Sequence, residues 1–227
     1  LGPGLVLSRI RALMREVQAA AAAGVLVRVC ATTIMPTAAS WPETWKTHTG
    51  AARTFPIILS HEFSGIVARP GPGVTAVKAG EAVYGMNDWE VNGAQAEYCV
   101  APVAMLAPKP SSLTHTAAAV VPISGLTAWQ GLFERAQLQA GQSVLVHGAA
   151  GAVGGFVVQL ARWRGARVIG TASRHDLEFV RALGAEQVID YRAERFECLI
   201  NILDVVFDTG GGETLDRSWI GLKPNGR

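Results

Sequence analysis

The second half of the chain alternates between two hydrophobic patterns. Short runs rich in branched apolar residues are separated by longer segments in which apolar residues recur at helical spacing. The predicted strands are Val144–His147, Arg167–Thr171, Gln187–Asp190 and Asp204–Phe207, and the predicted helices are Gly154–Arg164 and Leu177–Leu183. Such alternation, in units of about 20–30 residues, indicates a parallel sheet covered by helices. The predicted fold class is therefore α/β.

The first half of the chain has a different pattern of apolar residues and turns. Its short strand-like runs, separated by turns rich in glycine and proline, are Val25–Cys30, Ser64–Ala68, Glu81–Tyr84 and Ala96–Val100. This spacing predicts a small, mostly antiparallel β-barrel. Residues 5–18 show helical spacing, and the apolar stretch Thr114–Phe133 predicts a helix and a connection to a second domain. We therefore divide the chain into domains of residues 1–121 and 122–227.

Composition narrows the class of protein. The chain has 227 residues, of which 49% are apolar and 17% charged, with a formal net charge of +2, so it can bury a core and is not a disordered polyelectrolyte. It has no basic block that would indicate nucleic acid as a partner, and no apolar run approaches the roughly 20 residues that span a membrane. Cys30, Cys99 and Cys198 form no CxxC pair, which favours a reducing, cytoplasmic setting.

A glycine-rich turn follows the first predicted parallel strand and precedes a helix. Compared with the dinucleotide-binding fingerprint, Ala149 stands at the first glycine position, Gly151 at the second and Gly154 at the third. The N–H groups of this turn and of the helix start, including Ala152 and Val153, would face a pyrophosphate. The pattern therefore predicts dinucleotide binding; the alternative is a glycine-rich turn that binds no ligand.

The end of the second parallel strand distinguishes the two nicotinamide dinucleotides. NAD-binding proteins place an Asp or Glu there, about 20 residues beyond the turn, to hold the ribose hydroxyls. This chain has Ser173 and Arg174 instead, and a hydroxyl beside a guanidinium suits a 2′-phosphate. We therefore expect NADP(H) as the cofactor. The alternative is that Ser173 caps the next helix and Arg174 is solvated, while Asp176 is interpreted as an early helix residue.

Several segments together resemble the medium-chain dehydrogenase/reductase superfamily, and within it the zinc-free quinone oxidoreductases and enoyl reductases. The segments are Val25–Val29, Phe55–Gly65, Gly80–Gly85, Gly125–Trp129, Val188–Tyr191 and Phe207–Gly212. The resemblance implies a GroES-like β-barrel domain followed by a Rossmann domain. It also implies NADPH-dependent transfer of a hydride to a small-molecule acceptor, either a quinone or an α,β-unsaturated carbonyl compound.

The resemblance also implies roles for single residues. Thr127 matches a threonine near the nicotinamide, and Thr209 matches the segment beside that ring. Tyr191 matches a tyrosine near the adenosine phosphate. No catalytic acid or base is identified in this chain, and the oligomeric state is left open between a monomer and a homo-oligomer.

A zinc-dependent alcohol dehydrogenase is the alternative enzyme class. Those enzymes carry the pair that matches His61 and Glu62, but their cysteine ligand aligns with Met35, whereas Cys30 lies within the strand. A catalytic zinc ion needs three protein ligands, and a thioether replaces a thiolate poorly. We therefore expect no metal.

Two departures from the family pattern affect these expectations. Ser60 stands where the family has glycine, and it would be strained if that position requires a positive φ. The sequence stops at Arg227, where the family continues into a fifth parallel strand, so we expect a Rossmann domain truncated after its fourth strand, with an uncovered sheet edge along Asp204–Asp208. A non-catalytic, nucleotide-binding fragment is therefore a further alternative function.

The remaining polar and aromatic candidates carry weaker expectations. We expect His147 to be packed, and His48, His115 and His175 to be solvated or to cap helices. Three tryptophans either line a substrate cleft or fill the core of the barrel: Trp41, Trp45 and Trp89.

Overall fold

The computed structural model describes residues 24–35, 38–53 and 57–227. The chain forms two compact units that divide between Ile123 and Ser124. The helix predicted over residues 5–18 lies outside the described residues. No helix in the described ranges has the length and apolar character that a membrane crossing requires.

The first unit contains an antiparallel sheet. Its strands are β1 (Val25–Thr32), β2 (Glu62–Pro70), β3 (Ala82–Met86), β4 (Tyr98–Ala101) and β5 (Leu106–Pro108). They are hydrogen-bonded in the order β4-β1-β2-β3-β5, and every neighbouring pair is antiparallel, as predicted. The helical segments of the first unit are Ala38–Ser40, α1 (Pro42–Trp45), Val103–Met105 and α2 (His115–Ala119).

Side chains that alternate along the strands form the core of this unit. Val25 and Val27 of β1 are fully buried, because alternate residues of a strand point to the same face of a sheet. They cluster with Phe63 and Val67 of β2 and with Val83 of β3.

The second unit contains a parallel sheet. Its strands are β6 (Ser143–Val146), β7 (Arg167–Ala172), β8 (Gln187–Asp190) and β9 (Val205–Phe207). The order is β8-β7-β6-β9 with all pairs parallel, which confirms the α/β prediction. The chain proceeds from β6 outward to β8 and then returns to place β9 on the other side of β6. In open sheets of this kind, ligands bind at the carboxyl ends of the strands on either side of such a reversal.

Helices alternate with these strands along the chain. Helix α3 (Pro122–Trp129) continues into a π-helical turn, Gln130–Arg135, and is followed by α4 (Ala152–Trp163), α5 (Leu177–Ala182) and α6 (Glu213–Ser218). Short 3₁₀ turns lie at Arg174–Asp176, Phe196–Cys198 and Trp219–Gly221. Apolar clusters form around Val144, Val146 and Val157 and around Leu145, Ile169 and Ile189. Neighbouring residues of β6 therefore belong to different clusters, as strand alternation requires.

The outer edge of β9 differs from the sequence prediction. The N–H of Val206 donates to the carbonyl of Arg227 at 2.8 Å, and the N–H of Arg227 donates to the carbonyl of Asp204 at 3.0 Å. The N–H of Lys223 donates to the carbonyl of Leu203 at 2.9 Å. The prediction of an uncovered edge along Asp204–Asp208 is therefore wrong for residues 204–206, because residues 223–227 turn back and satisfy these main-chain groups.

At Gly154, α4 approaches the main chain of the turn after β6 closely. A Cβ atom at this position would lie 2.1 Å from the carbonyl oxygen of Gly148 and 2.9 Å from the Cα of Ala149. Both atoms belong to the main chain, so a side chain cannot be accommodated by a rotamer change. The helix can start directly after β6 only because this residue lacks a side chain.

We expect Gly154→Ala to lower the free energy of unfolding by about 1–3 kcal/mol or more, because main-chain atoms must move apart. Gly155→Ala is the matched control, since its Cβ would meet Leu183 Cδ1 at 3.5 Å and the Ala149 carbonyl oxygen at 3.9 Å, both ordinary van der Waals contacts. That variant should change stability by less than about 1 kcal/mol, in the stabilising direction. Urea unfolding followed by circular dichroism measures both. Equal stability of the two variants would contradict this account of the contact.

Candidate functional site

The turn between β6 and α4 is an uncapped helix start at the carboxyl end of a central strand. Gly148 adopts φ = 66°, and its carbonyl accepts a hydrogen bond from the N–H of Gly151 at 2.8 Å. The N–H of Ala149 donates to the carbonyl of Thr171 at 3.1 Å, which fixes the turn to β7. Gly151 is the N-cap residue in an extended conformation and makes no side-chain cap.

Because of this geometry, the first N–H groups of α4 are available as hydrogen-bond donors to an anion. The first N–H groups of a helix have no acceptor within the helix, and here no side chain of the N-cap residue supplies one. They belong to Ala152, Val153 and Gly154. Gly151 and Ala152 are exposed and small, so the main chain at the helix start is accessible to a ligand. The positive end of the helix dipole adds to the attraction for a negative group.

Thr209 is brought to the same turn from the end of β9. Its hydroxyl donates to the carbonyl of His147 at 3.0 Å. A Cβ at Gly148 would lie 2.4 Å from Thr209 Oγ1, so the threonine packs directly against the glycine. The loop that follows is shaped by the Asp208 carboxylate, which accepts the N–H groups of Gly210 and Gly211, each at 2.9 Å. The predicted residues Ala149, Gly151 and Thr209 are therefore neighbours, whereas Thr127 has an exposed side chain on a separate element, α3.

Ser173, Arg174 and Tyr191 lie at the ends of neighbouring strands. The N–H of Tyr191 donates to the carbonyl of Ala172 at 3.3 Å, so Tyr191 adjoins the turn that begins at Ser173. Arg174 and Tyr191 are both exposed. Sequence reasoning did not identify Arg192, whose Nε donates to the Tyr191 hydroxyl at 3.3 Å and whose guanidinium lies 5.6 Å from the centre of that ring. Arg192 directly follows Tyr191 in the sequence, and this adjacency could have indicated a second cation near the end of β8.

The Ser173 hydroxyl already has a partner. It donates to Asp176 Oδ2 at 2.5 Å, while the N–H of Asp176 donates to the carbonyl of Ser173 at 2.9 Å. The hydrogen bond from Ser173 lowers the pKa of Asp176, so this carboxylate is charged at neutral pH. Asp176 is the N-cap residue of α5, in agreement with its interpretation as a residue at the helix start.

His147 is packed, as expected, at the end of β6. Its Nδ1 lies 3.0 Å from Thr171 Oγ1 and its Nε2 lies 2.9 Å from Ser218 Oγ. Because the Ser218 hydroxyl donates to the carbonyl of Thr214, it accepts from the Nε2–H of His147. Burial lowers the pKa of His147, so this ring is a neutral link between three elements of the second unit.

A second polar cluster lies in the first unit around His61. Its Nδ1 lies 3.1 Å from Asn87 Oδ1, and the Asn87 amide donates to the carbonyl of Asn92. The Asn87 oxygen therefore accepts from Nδ1–H. The Trp89 ring packs 4.6 Å from the imidazole, and burial lowers the pKa of His61, so the ring is neutral at pH 7.

Glu62 is buried beside this histidine with its carboxyl group satisfied. Its Oε2 accepts the N–H of Ile123 at 2.8 Å. Burial raises the pKa of Glu62, and hydrogen bonds from the Ile123 N–H and the Thr33 hydroxyl lessen the rise. Glu62 is therefore fixed within its own unit by polar contacts.

Ser60 adopts φ = 65°, so this position has the positive φ under which we expected a serine to be strained. Its hydroxyl lies 2.8 Å from Thr32 Oγ1 and 3.1 Å from Thr33 Oγ1. The serine therefore occupies a strained backbone conformation and gains hydrogen bonds that glycine cannot make.

Zinc does not fit these residues. Within the described ranges, no three His, Cys, Asp or Glu side chains converge on a point where they could hold a metal ion. His61 is hydrogen-bonded to Asn87, and Cys30 is an exposed free thiol. The donor set lacks the thiolates and third ligand that a catalytic zinc ion requires.

The contacts and exposure of the remaining histidine and tryptophan candidates decide between the alternatives given for them. The prediction that His115 is solvated or caps a helix is wrong, because its Nδ1 lies 2.8 Å from the Ser64 hydroxyl and the residue is half-buried. Trp41 and Trp89 retain 37% and 43% of their accessible surface, so neither fills the core.

Two substitutions separate strain from hydrogen bonding at Ser60. Ser60→Ala removes the hydroxyl contacts and keeps the left-handed backbone, so we expect a loss of stability of about 1–2 kcal/mol. Ser60→Gly removes the same contacts but relieves the strain, so it should be about 1 kcal/mol more stable than Ser60→Ala. Urea unfolding measures both, and an alanine variant as stable as the glycine variant would exclude strain at this residue.

The low pKa of His61 makes stability depend on pH. Since the folded-state pKa is below the ordinary value of 6.5, its contribution is complete above that value and declines as pH falls toward the folded-state pKa. Asn87→Asp places a carboxylate against the ring and should reverse the trend. We expect this variant to be destabilised most at about pH 8 and least at about pH 5. Unfolding curves across that range, with an NMR titration of the ring, measure this; parallel curves would contradict it.

Comparisons with known proteins cover both units. The model of the alcohol dehydrogenase GroES-like domain matches residues 21–111, and that of the zinc-binding dehydrogenase family matches residues 152–227. The 2-methylene-furan-3-one reductase of Solanum lycopersicum is 37% identical over 69% of this chain and 42% of that protein. This chain spans less than half the length of the curated relatives it matches.

Solved structures agree with these matches. The quinone oxidoreductase from Coxiella burnetii superposes with a TM-score of 0.82 and 34% identity, covering 90% of this chain and 65% of that one. The Escherichia coli quinone oxidoreductase complexed with NADPH gives a TM-score of 0.78 and 27% identity, covering 90% and 63%. Together with the parallel sheet and its uncapped glycine turn, these matches show that the chain belongs to the medium-chain dehydrogenase/reductase superfamily, in its zinc-free, quinone oxidoreductase-like branch.

Proposed function

We propose that this protein is an NADPH-dependent oxidoreductase that transfers a hydride to a quinone or an α,β-unsaturated carbonyl compound. The observation that carries the proposal is the uncapped start of α4 at the reversal point of the parallel sheet. The names of the relatives support the reaction class. One is a reductase of a methylene-furanone, and one structural neighbour is a quinone oxidoreductase crystallised with NADPH.

The helix start would hold the diphosphate of the dinucleotide. The N–H groups of Ala152, Val153 and Gly154 would provide donors in an arrangement fixed by the turn, and the exposed Gly151 and Ala152 leave the start of the helix open to a ligand. Binding to main-chain donors needs no side-chain reorganisation, so the orientation of the ligand follows from the fold.

The two ends of the dinucleotide would then lie along the carboxyl edge of the sheet. Thr209 is next to the glycine turn on the β9 side, and we assign it, with Thr127, to the nicotinamide end. Arg174 and Tyr191 are on the β7 and β8 side, and we assign them, with Ser173, to the adenosine end. The cofactor supplies the hydride when bound, and the residues of this chain bind and orient it.

The proposal leaves three properties as predictions: the hydride acceptor, the cellular location and the oligomeric state. A small-molecule acceptor, a cytoplasmic location and assembly as a homo-oligomer stay predictions. A zinc-dependent alcohol dehydrogenase is not supported, because the described residues offer no suitable ligand set.

The direct test uses the purified 227-residue chain. We expect NADPH fluorescence to change on titration with protein, and NADPH to be oxidised when a small quinone or enone is added. Binding without turnover against either acceptor would support a non-catalytic nucleotide-binding protein instead. Absence of binding in a folded sample would contradict the whole proposal.

A charge at the helix start tests the diphosphate assignment separately from folding. Ala152→Asp places a carboxylate at the first helical position, where it favours the helix but repels a bound anion. We expect unchanged or higher thermal stability together with about tenfold or greater weakening of NADPH binding.

Ala152→Asn is the matched neutral control. It has nearly the same shape and should bind NADPH within about threefold of the parent, because it adds no charge. Equal affinities of the aspartate and asparagine variants would place the diphosphate elsewhere.

A further inference from the structure

The turn after β7 contains a cation, Arg174, and a carboxylate, Asp176, and the carboxylate accepts a hydrogen bond from the hydroxyl of Ser173. Arg174–Asp176 form a single 3₁₀ turn that directs Asp176 back over Ser173. The Ser173 hydroxyl donates to Asp176 Oδ2 at 2.5 Å, and the main-chain bond from the Asp176 N–H to the Ser173 carbonyl closes the turn. The side chain and the main chain therefore fix the carboxylate at Ser173.

This arrangement has a direct consequence for an anion near Ser173. A serine hydroxyl has one proton, so it can donate to Asp176 or to a phosphate oxygen but not to both. A phosphate at this position would also lie close to the Asp176 carboxylate, and like charges repel. Arg174, which follows Ser173 directly, and Arg192, which donates to the Tyr191 hydroxyl, are exposed cations at the ends of the same two strands and would supply an opposing attraction.

The same pair of residues suits a ribose that carries no phosphate. The 2′- and 3′-hydroxyls of an adenosine ribose are donors, and a carboxylate at the end of the second strand is the acceptor that binds them in NAD-dependent proteins. Asp176 is charged and has a second oxygen, Oδ1, that contacts only the exposed His175, at 3.4 Å. The turn therefore presents cations for a phosphate and a carboxylate for a diol.

We propose that Asp176 is a specificity-determining residue that limits the preference of this protein for NADPH over NADH. The inference rests on the proposed function, because it concerns the adenosine end of the same cofactor site. It identifies Asp176 as the residue that opposes the 2′-phosphate and accepts the ribose hydroxyls, while Arg174 and Arg192 favour the phosphorylated coenzyme.

The test compares the dissociation constants of NADPH and NADH for the full chain and for Asp176→Asn. The substitution removes the charge and keeps the shape, and the main-chain N–H of residue 176 still bonds to Ser173. We expect the affinity for NADPH to rise roughly threefold to tenfold, because a screened surface charge has an effect of this order. The affinity for NADH should fall or stay the same, so the ratio of the two constants shifts toward NADPH.

Ser173→Ala shows whether the hydroxyl is occupied by Asp176. In the parent background this substitution should lower NADPH affinity less than it does in the Asp176→Asn background, because the parent hydroxyl donates to the carboxylate. In the Asp176→Asn background it should remove part of the gain, since the hydroxyl then faces a neutral amide and a phosphate oxygen is the stronger acceptor. Additive effects of the two substitutions would contradict the shared hydroxyl.

Glu178→Gln is the matched charge control. Glu178 lies on α5 two residues further along, where its carboxylate pairs with Arg181 instead of Ser173. It should shift the NADPH-to-NADH ratio by less than about twofold. If Glu178→Gln shifted the ratio as much as Asp176→Asn, the effect would come from net charge and not from the position of Asp176. If Asp176→Asn left the ratio unchanged, the inference would be overturned while the proposed function remained intact. Absence of binding of either coenzyme by the parent would contradict both.

Discussion

The second unit depends on one main-chain contact, the approach of α4 to the turn after β6 at Gly154. The absence of a side chain lets the helix begin within a few residues of the strand, so its first N–H groups lie at the carboxyl edge of the sheet. The order of the strands then determines what surrounds them: β9 brings Thr209 from one side, and β7 and β8 bring Ser173 and Tyr191 from the other. Without that contact, the first N–H groups of α4 would not lie beside these residues.

In the first unit, two ionisable side chains are buried in a small antiparallel sheet and need hydrogen-bond partners there. His61 and Glu62 are adjacent and buried, and each is matched to a fixed partner, Asn87 for the imidazole and the Ile123 N–H for the carboxyl. Among the described residues, no buried side-chain nitrogen or oxygen lacks a hydrogen-bond partner. Both groups of this pair are therefore stabilised by hydrogen bonds within the first unit.

Local patterns were sufficient to predict every strand of the described residues except β5, together with the glycine turn, because each follows from a few neighbouring residues. The backbone requirement at Ser60 followed from the family resemblance. Gln187–Asp190 has the predicted bounds, and Ser60 has the positive φ that a glycine position suggests. Contacts between distant residues could not be predicted in this way. The bond between His115 and Ser64 joins positions 51 residues apart, and the strand-like pairing of Arg227 with β9 depends on a turn whose direction the sequence does not specify. Ser173 and Asp176 are close in sequence, but whether a hydroxyl turns toward its own loop or toward a ligand depends on side-chain rotamers.

The hydrogen bond from Thr209 to the carbonyl of His147 determines which kind of neighbour this threonine can accept. Its single proton is committed to the main chain, so toward open space the residue offers only an oxygen lone pair and a methyl group. A carbonyl oxygen set against it would find no donor, whereas the –NH₂ of a carboxamide would find an acceptor. An amide group placed beside Thr209 would therefore present its –NH₂ to this oxygen and not its carbonyl.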